Sequence, residues 1–318
     1  MGQPLQLSLL HFSCRVENLG PYLLSNLSWF LAPMVSRERS SRTSSWTLFI
    51  SKEDSLMPEK VQDIWLLPAE ESSKDTLFVT PLGSYLTIDR QKREVKAFSV
   101  TDDEAGLAIT LDVLDVLQSF NSLLPLHCAA FHDEELGRVL VVGPSGAGKS
   151  SVLNAFLDAG ASFIADDRLL YHYKNDELLL AAFRGFRKTR EGEKAERSFL
   201  EMELKAIEIE QKLVTEGFTA DLLFFPKVVA PAGSQIKTLD SSWQVFRRLL
   251  VESYVPARKD KQEPQMQWLK RLSNLPAFEI CLGQDERGFG SELVSFCKSE
   301  LSFTKQSCQV KNYVACLM

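Results

Sequence analysis

The residues best able to do chemistry lie between positions 127 and 167. Gly143-Pro144-Ser145-Gly146-Ala147-Gly148-Lys149-Ser150 matches G-x-x-x-x-G-K-[ST] at every defined position, after the apolar run Val139-Leu140-Val141-Val142 and before a helical pattern. Glycines at 143, 146 and 148 permit backbone conformations that wrap successive N–H groups round a phosphate, and a helix N-terminus adds partial positive charge. Lys149 supplies a point charge for the β- and γ-phosphates of a nucleotide, and the Ser150 hydroxyl can join the shell of a bound Mg²⁺. Gly143, Ser145, Gly146, Ala147, Gly148, Lys149, Ser150 and Ser151 are therefore the candidate nucleotide-binding residues.

A second group follows at once. Ala161-Ser162-Phe163-Ile164-Ala165 reads as an apolar strand that ends in two adjacent carboxylates, Asp166 and Asp167. A right-handed strand-helix-strand crossover predicts one parallel sheet, with the Asp pair at the carboxyl edge that also carries the glycine-rich loop. One carboxylate can then hold Mg²⁺, directly or through water, while its neighbour accepts a proton from an attacking hydroxyl. His127, in Leu126-His127-Cys128-Ala129-Ala130 on the strand before the loop, is the third candidate.

These groups need elements to hold them. The spacing of Val152, Leu153, Phe156 and Leu157 predicts a helix over residues 149–159, stopped by Gly160. Strands are expected at 126–131 and 139–142 around a charged turn at 132–137. A helix is expected from about residue 101 on Ile109, Val113, Val116 and Leu117, with Asp102, Asp103 and Glu104 near its start. Further on, Leu204, Ile207 and Val214 suggest an amphipathic helix over 203–214, and residues 222–229 a strand broken by Pro226. Residues 241–254 suggest a helix with Trp243, Phe246 and Leu250 as its core face. The first hundred residues read as β-rich, with a polar loop at 36–45, a strand at 46–51 and a meander over 76–100, and they contain no catalytic constellation.

Together His127, the loop from Gly143 to Ser150, and Ala165-Asp166-Asp167 resemble the catalytic core of the bacterial HPr kinase/phosphorylase family. The resemblance covers roughly residues 112–173 and, more loosely, 222–229 and 275–281. It implies an α/β P-loop kinase domain over 101–318, similar also to the nucleotide domain of phosphoenolpyruvate carboxykinases, behind a β-rich region at 1–100. It further implies transfer of a phosphoryl group from ATP to a serine hydroxyl with Mg²⁺ required. In those terms Asp167 is the general base, Lys149 and Ser150 contact phosphate and metal, Asp166 supports the metal or its waters, and His127 orients the base or the substrate. The chain departs from the family in one extra residue between the histidine and the loop, and in lacking the Glu-x-Arg-Gly-x-Gly signature: Arg184-Gly185-Phe186 is followed by Arg187, with no Glu before it. That pattern fits a divergent relative acting on a different hydroxyl acceptor, in a peptide, a protein or a small serine-like molecule. A nucleotide-binding regulator without catalysis stays open beside it, whereas a mechanical ATPase or GTPase wants switch or signature motifs that are missing.

Composition narrows the partners. The 318 residues carry 36 basic and 42 acidic side chains, a net of −6, which is no footprint for non-specific nucleic-acid or anionic-membrane binding. Residues 184–197 are locally basic, with six Lys or Arg and three Glu, and are a candidate mobile element over phosphates. The six cysteines are scattered singly, with neither a C-x-x-C pair nor zinc-ligand spacing, which predicts reduced thiols. The apolar stretch at 22–35 is too short and too interrupted to cross a membrane, and it lacks the flanks of a signal peptide, so the expected compartment is the cytoplasm. Homo-oligomerisation is left open.

Overall fold

The computed structural model describes residues 4–9, 12–35, 45–51, 76–79, 85–89, 91–98, 100–120, 123–174, 177–182, 186–189, 203–206, 213–214, 216–229, 235–253, 259–283, 293–295 and 297–299. They form a mixed α/β protein on two large sheets, divided into two units that interleave along the chain. The first comprises Met1–Leu126, Arg168–Phe218 and Ser253–Trp268, and the second His127–Asp167, Thr219–Glu252 and Leu269–Met318.

In the first unit, Leu5, Leu7 and Leu9 alternate with polar residues, and strand β1 (Leu5–Leu9) buries all three. It pairs antiparallel with β2 (Phe12–Glu17), and helix α1 (Pro21–Phe30) follows. Strand β3 (Ser45–Ile50) lies parallel to β2, and the expected meander is present as β4 (Thr76–Val79), β5 (Tyr85–Asp89) and β6 (Glu94–Phe98). The sheet order is β1-β2-β3-β6-β5-β4. The apolar stretch at 22–35 is thus a short core helix: Leu23 and Leu27 are buried, and the Asp102 carboxylate accepts the N–H of Leu23 at 2.9 Å in its first turn. Helix α2 (Glu104–Phe120) buries Ile109, Val113 and Leu117 at the expected spacing, and Asp103 accepts the N–H of Gly106 at 3.1 Å. Of the polar run at 36–45, residues 36–44 lie outside the described residues.

The second unit begins inside β7 (Leu124–Asp133), which turns through Asp133 to the antiparallel strand β8 (Gly137–Val142). Helix α3 (Lys149–Asp158) and strand β9 (Ser162–Ala165) follow. Val152, Leu153 and Phe156 pack α3 onto the sheet, where the Phe156 ring stacks on Phe131 at 4.4 Å and meets Phe224 at 6.1 Å. Strand β9 runs in the same direction as β8 without touching it: β9 pairs antiparallel with β7, and β7 pairs antiparallel with β8. The expected single parallel sheet is therefore corrected to a mixed one, because β7, the strand before β8, lies between the two strands of the crossover.

The chain then supplies β10 (Arg168–Lys174) and β11 (Glu177–Ala181), an antiparallel pair in the first unit, and β12 (Phe186–Thr189) and β13 (Glu203–Ala206), another. Of the helix expected at 203–214, residues 203–206 are corrected by β13, 207–212 lie outside the described residues, and Leu213 and Val214 are helical. Leu204 and Ala206 also alternate at a spacing of two, and pairing with a strand 17 residues away decides the ambiguity that periodicity leaves. Residues 186–189 of the basic segment are a strand, and 184–185 and 190–197 lie outside the described residues.

Strand β14 (Leu222–Val228) extends the second unit's sheet, parallel to β8 through Leu222–Phe224 and to β16 (Ala277–Leu282), after which β15 (Gln235–Thr238) closes the edge antiparallel to β16. Pro226 does not break β14. Leu223 donates its N–H to Pro276 on the β16 side, so the nitrogen of Pro226 faces the β8 side, two residues past the last pair of that ladder, where no bond is lost.

Helix α4 (Ser242–Val251) starts at Ser241, whose hydroxyl accepts the N–H of Gln244, and buries Val245 and Leu249. This corrects the expected core face: Trp243 is 63% exposed and stacks on Phe246 at 5.5 Å along the outer side. Helix α5 (Lys259–Leu272) belongs to the first unit through Trp268. Cys14, Cys128, Cys281 and Cys297 are buried free thiols, and burial pushes Cys14 and Cys297 up to about 12. Among the described residues no helix is long and apolar enough to cross a membrane.

Candidate active site

All the candidate residues lie in the second unit. The glycine-rich loop leaves the buried end of β8 at Gly143, turns through a bond from the Ala147 N–H to the Pro144 carbonyl at 3.1 Å, and enters α3 at Gly148. Pro144, Ser145 and Gly146 are exposed at its crest, and a Cβ at Gly143 would sit 3.3 Å from that of Ala147. Gly148 is required twice over. Its φ of +101° is left-handed, and a Cβ there would sit 2.4 Å from Leu282 Cδ1. Gly146 has φ +78°, with open space where a Cβ would go.

Lys149 is the first residue of α3 and is buried, with Nζ donating to the carbonyls of Gly143 at 2.6 Å and Pro144 at 3.0 Å. Its ammonium therefore sits inside the curve of the loop, at the positive end of the helix dipole. Ser150 and Ser151 occupy the same turn. The Ser150 hydroxyl donates to Asp166 Oδ1 at 2.9 Å, joining the helix start to the end of β9.

The end of β9 is irregular in a way that aims the carboxylates. Ala130 pairs with Ala165 but Phe131 pairs with Phe163, so Ile164 is an extra residue, a β-bulge. Ile164, Ala165 and Asp166 are consecutively buried, at 1%, 0% and 1% exposure. Asp167 then takes φ +93°, a left-handed conformation that costs a non-glycine residue about 1–3 kcal/mol and recurs at functional sites. Its Oδ1 lies 3.8 Å from His127 Nε2.

His127 has a second carboxylate on its other nitrogen. Glu252, the C-cap of α4, places Oε2 3.0 Å from His127 Nδ1, and its backbone carbonyl accepts the His127 N–H at 2.9 Å. Glu252 has 8% side-chain exposure, Asp167 15% and His127 31%. Sequence reasoning missed Glu252, which lies 125 residues from His127. Its only local mark is an acidic side chain at a helix C-terminus, where the dipole disfavours it.

Two clusters thus meet through consecutive residues: Ser150 with Asp166, and Asp167 with His127 and Glu252. Among the described residues no three His, Cys, Asp or Glu side chains converge as a metal site. One hydroxyl and one carboxylate suit Mg²⁺ nonetheless, since that ion keeps waters and takes further ligands from substrate phosphates. The loop's left-handed glycines and the lysine at the helix start suit a polyphosphate.

No protein-family model matches the chain, and no curated protein matches it. Among solved structures, the Hpr(Ser) kinase/phosphatase from Coxiella burnetii superposes weakly, with 12% identity over 59% of this chain and 97% of that chain, at a TM-score of 0.33. A likeness at that level assigns no residue.

Proposed function

We propose that this chain is an ATP- and Mg²⁺-dependent kinase of the HPr kinase-like kind, transferring the γ-phosphate to a hydroxyl, in a serine of a peptide or protein or in a small serine-like molecule. The observation that carries the reading is the Ser150–Asp166 hydrogen bond at the start of α3, with Lys149 beside it and Asp167 next in the chain.

Under this reading the loop backbone from Gly143 to Gly148 and the first turn of α3, with Ser151, hold the phosphates. Lys149 exchanges the Gly143 and Pro144 carbonyls for β- and γ-phosphate oxygens. Ser150 and Asp166 hold Mg²⁺, which when bound neutralises charge on the phosphates. Asp167 takes the proton as the acceptor's O–H bond breaks. The acceptor oxygen bonds to the γ-phosphorus, and the bond from phosphorus to the β,γ-bridging oxygen breaks with its electron pair leaving on ADP. Positioning and electrostatics supply most of the rate.

The test is a pair of variants in Mg·ATP binding and turnover. Lys149→Ala should abolish turnover. Asp167→Asn should keep ATP binding within a few-fold and lose transfer by about 10²-fold or more, the usual worth of a general base. Full transfer by Asp167→Asn overturns the base assignment, and binding without transfer by the wild-type chain favours a nucleotide-binding regulator.

A further inference from the structure

We infer that Glu252 is a positioning residue of this site, holding the His127 ring with Nδ1 protonated and Nε2 turned toward Asp167. The inference rests on the kinase reading for its consequence, and on the geometry for its content. A carboxylate has no hydrogen to give, so the 3.0 Å approach of Glu252 Oε2 to Nδ1 is a hydrogen bond only when Nδ1 carries the proton. In the neutral ring that leaves the lone pair on Nε2, and Nε2 is the nitrogen that faces Asp167 Oδ1.

Two features make this more than a passing contact. Glu252 grips His127 twice, through its side chain at 3.0 Å and through its backbone carbonyl at 2.9 Å, so ring and main chain are held by one residue. The carboxylate also sits with 8% exposure at the negative end of α4, where only a donor such as Nδ1–H offsets the dipole and the loss of water. Glu252 acts on the reaction through His127 alone.

The experiment is ¹⁵N NMR of the full chain labelled at histidine, with the His127 signal identified by its loss in His127→Gln, alongside Mg·ATP turnover with water as the acceptor. The wild-type neutral ring should be protonated on Nδ1, and Glu252→Ala should lose that preference. Glu252→Ala should lower kcat about 10–100-fold, the usual effect of removing a group that orients a working ligand, with KM for ATP within about twofold, and Glu252→Asp should recover part of the rate. A wild-type ring protonated on Nε2, a ring indifferent to Glu252→Ala, or a loss confined to KM overturns the proposal. The wild-type spectrum decides alone if Glu252→Ala does not fold. If the wild-type chain transfers γ-phosphate neither to water nor to any acceptor in an extract of the host cell, the kinase reading fails while the tautomer still decides what Glu252 does.

Discussion

Ser150 Oγ donates to Asp166 Oδ1 across 2.9 Å, although 16 residues separate them, so the first turn of α3 and the end of β9 are tied at one point. If that point holds Mg²⁺, each partner alone should matter to metal-dependent binding. Ser150→Ala and Asp166→Asn should each raise the Mg²⁺ concentration needed for ATP binding by about 10–100-fold, with metal-free nucleotide binding little changed. Calorimetric titration of ATP at a series of Mg²⁺ concentrations reads this directly.

Gly148 and Gly146 separate backbone strain from crowding. Both have positive φ, but only at Gly148 does a Cβ meet a packed neighbour, Leu282 Cδ1 at 2.4 Å. Gly146→Ala should cost about 1–2 kcal/mol from the left-handed conformation alone. Gly148→Ala should cost about 1–3 kcal/mol more from overpacking. Urea unfolding of both variants checks the order, and Leu282→Ala should cost less in the Gly148→Ala background than in the wild type.

The reversal of α4 gives a stability contrast. Trp243 is 63% exposed, whereas Leu249 is fully buried. Trp243→Ser should change stability by no more than about 0.5 kcal/mol, the usual range for surface positions. Leu249→Ala should cost about 2–5 kcal/mol as a core truncation. Equal costs in thermal or urea unfolding contradict the observed face.

The turn between β7 and β8 sets a pH dependence. Burial pushes the Asp133 carboxyl up, but hydrogen bonds from Lys298 and from the N–H groups of Glu135 and Leu136 outweigh it and hold it below its ordinary value. A carboxyl depressed in the folded state stabilises fully above its unfolded value of about 3.9, and the contribution is lost as pH falls through the folded value. Lys298 is raised by its hydrogen bonds to Asp133 and Glu135, so its share is present below about 10.4 and lost as pH rises through the folded value. Urea midpoints between pH 2 and 6 should fall less steeply for Asp133→Asn than for the wild type.

Much of the site was legible because its parts are local. The loop, the helix it opens, its stop at Gly160 and the Asp pair lie in one stretch, where residue type and spacing speak for backbone conformation. What was not legible depends on distant pairing. Nothing near Leu126 or Ala165 says that β7 lies between β8 and β9, and nothing near Leu204 says that a strand is waiting for it. The bulge at Ile164 and the left-handed Asp167 are set by the fit of β9 to β7, and Glu252 reaches His127 only through the fold. On α4, Trp243, Phe246 and Leu250 give as good a helical stripe as Val245 and Leu249, so pattern alone could not say which side is buried.

The central claim is that Asp167 serves as base for phosphoryl transfer to a hydroxyl on a molecule other than water. The most direct measurement is the fate of labelled γ-phosphate from Mg·ATP in an extract of the host cell, with wild type, Lys149→Ala and Asp167→Asn compared side by side. The wild-type chain should place label covalently on a hydroxyl-bearing peptide, protein or metabolite, and both variants should fail to do so while Asp167→Asn still binds ATP. Label found only as inorganic phosphate, or transferred equally well by Asp167→Asn, would contradict it.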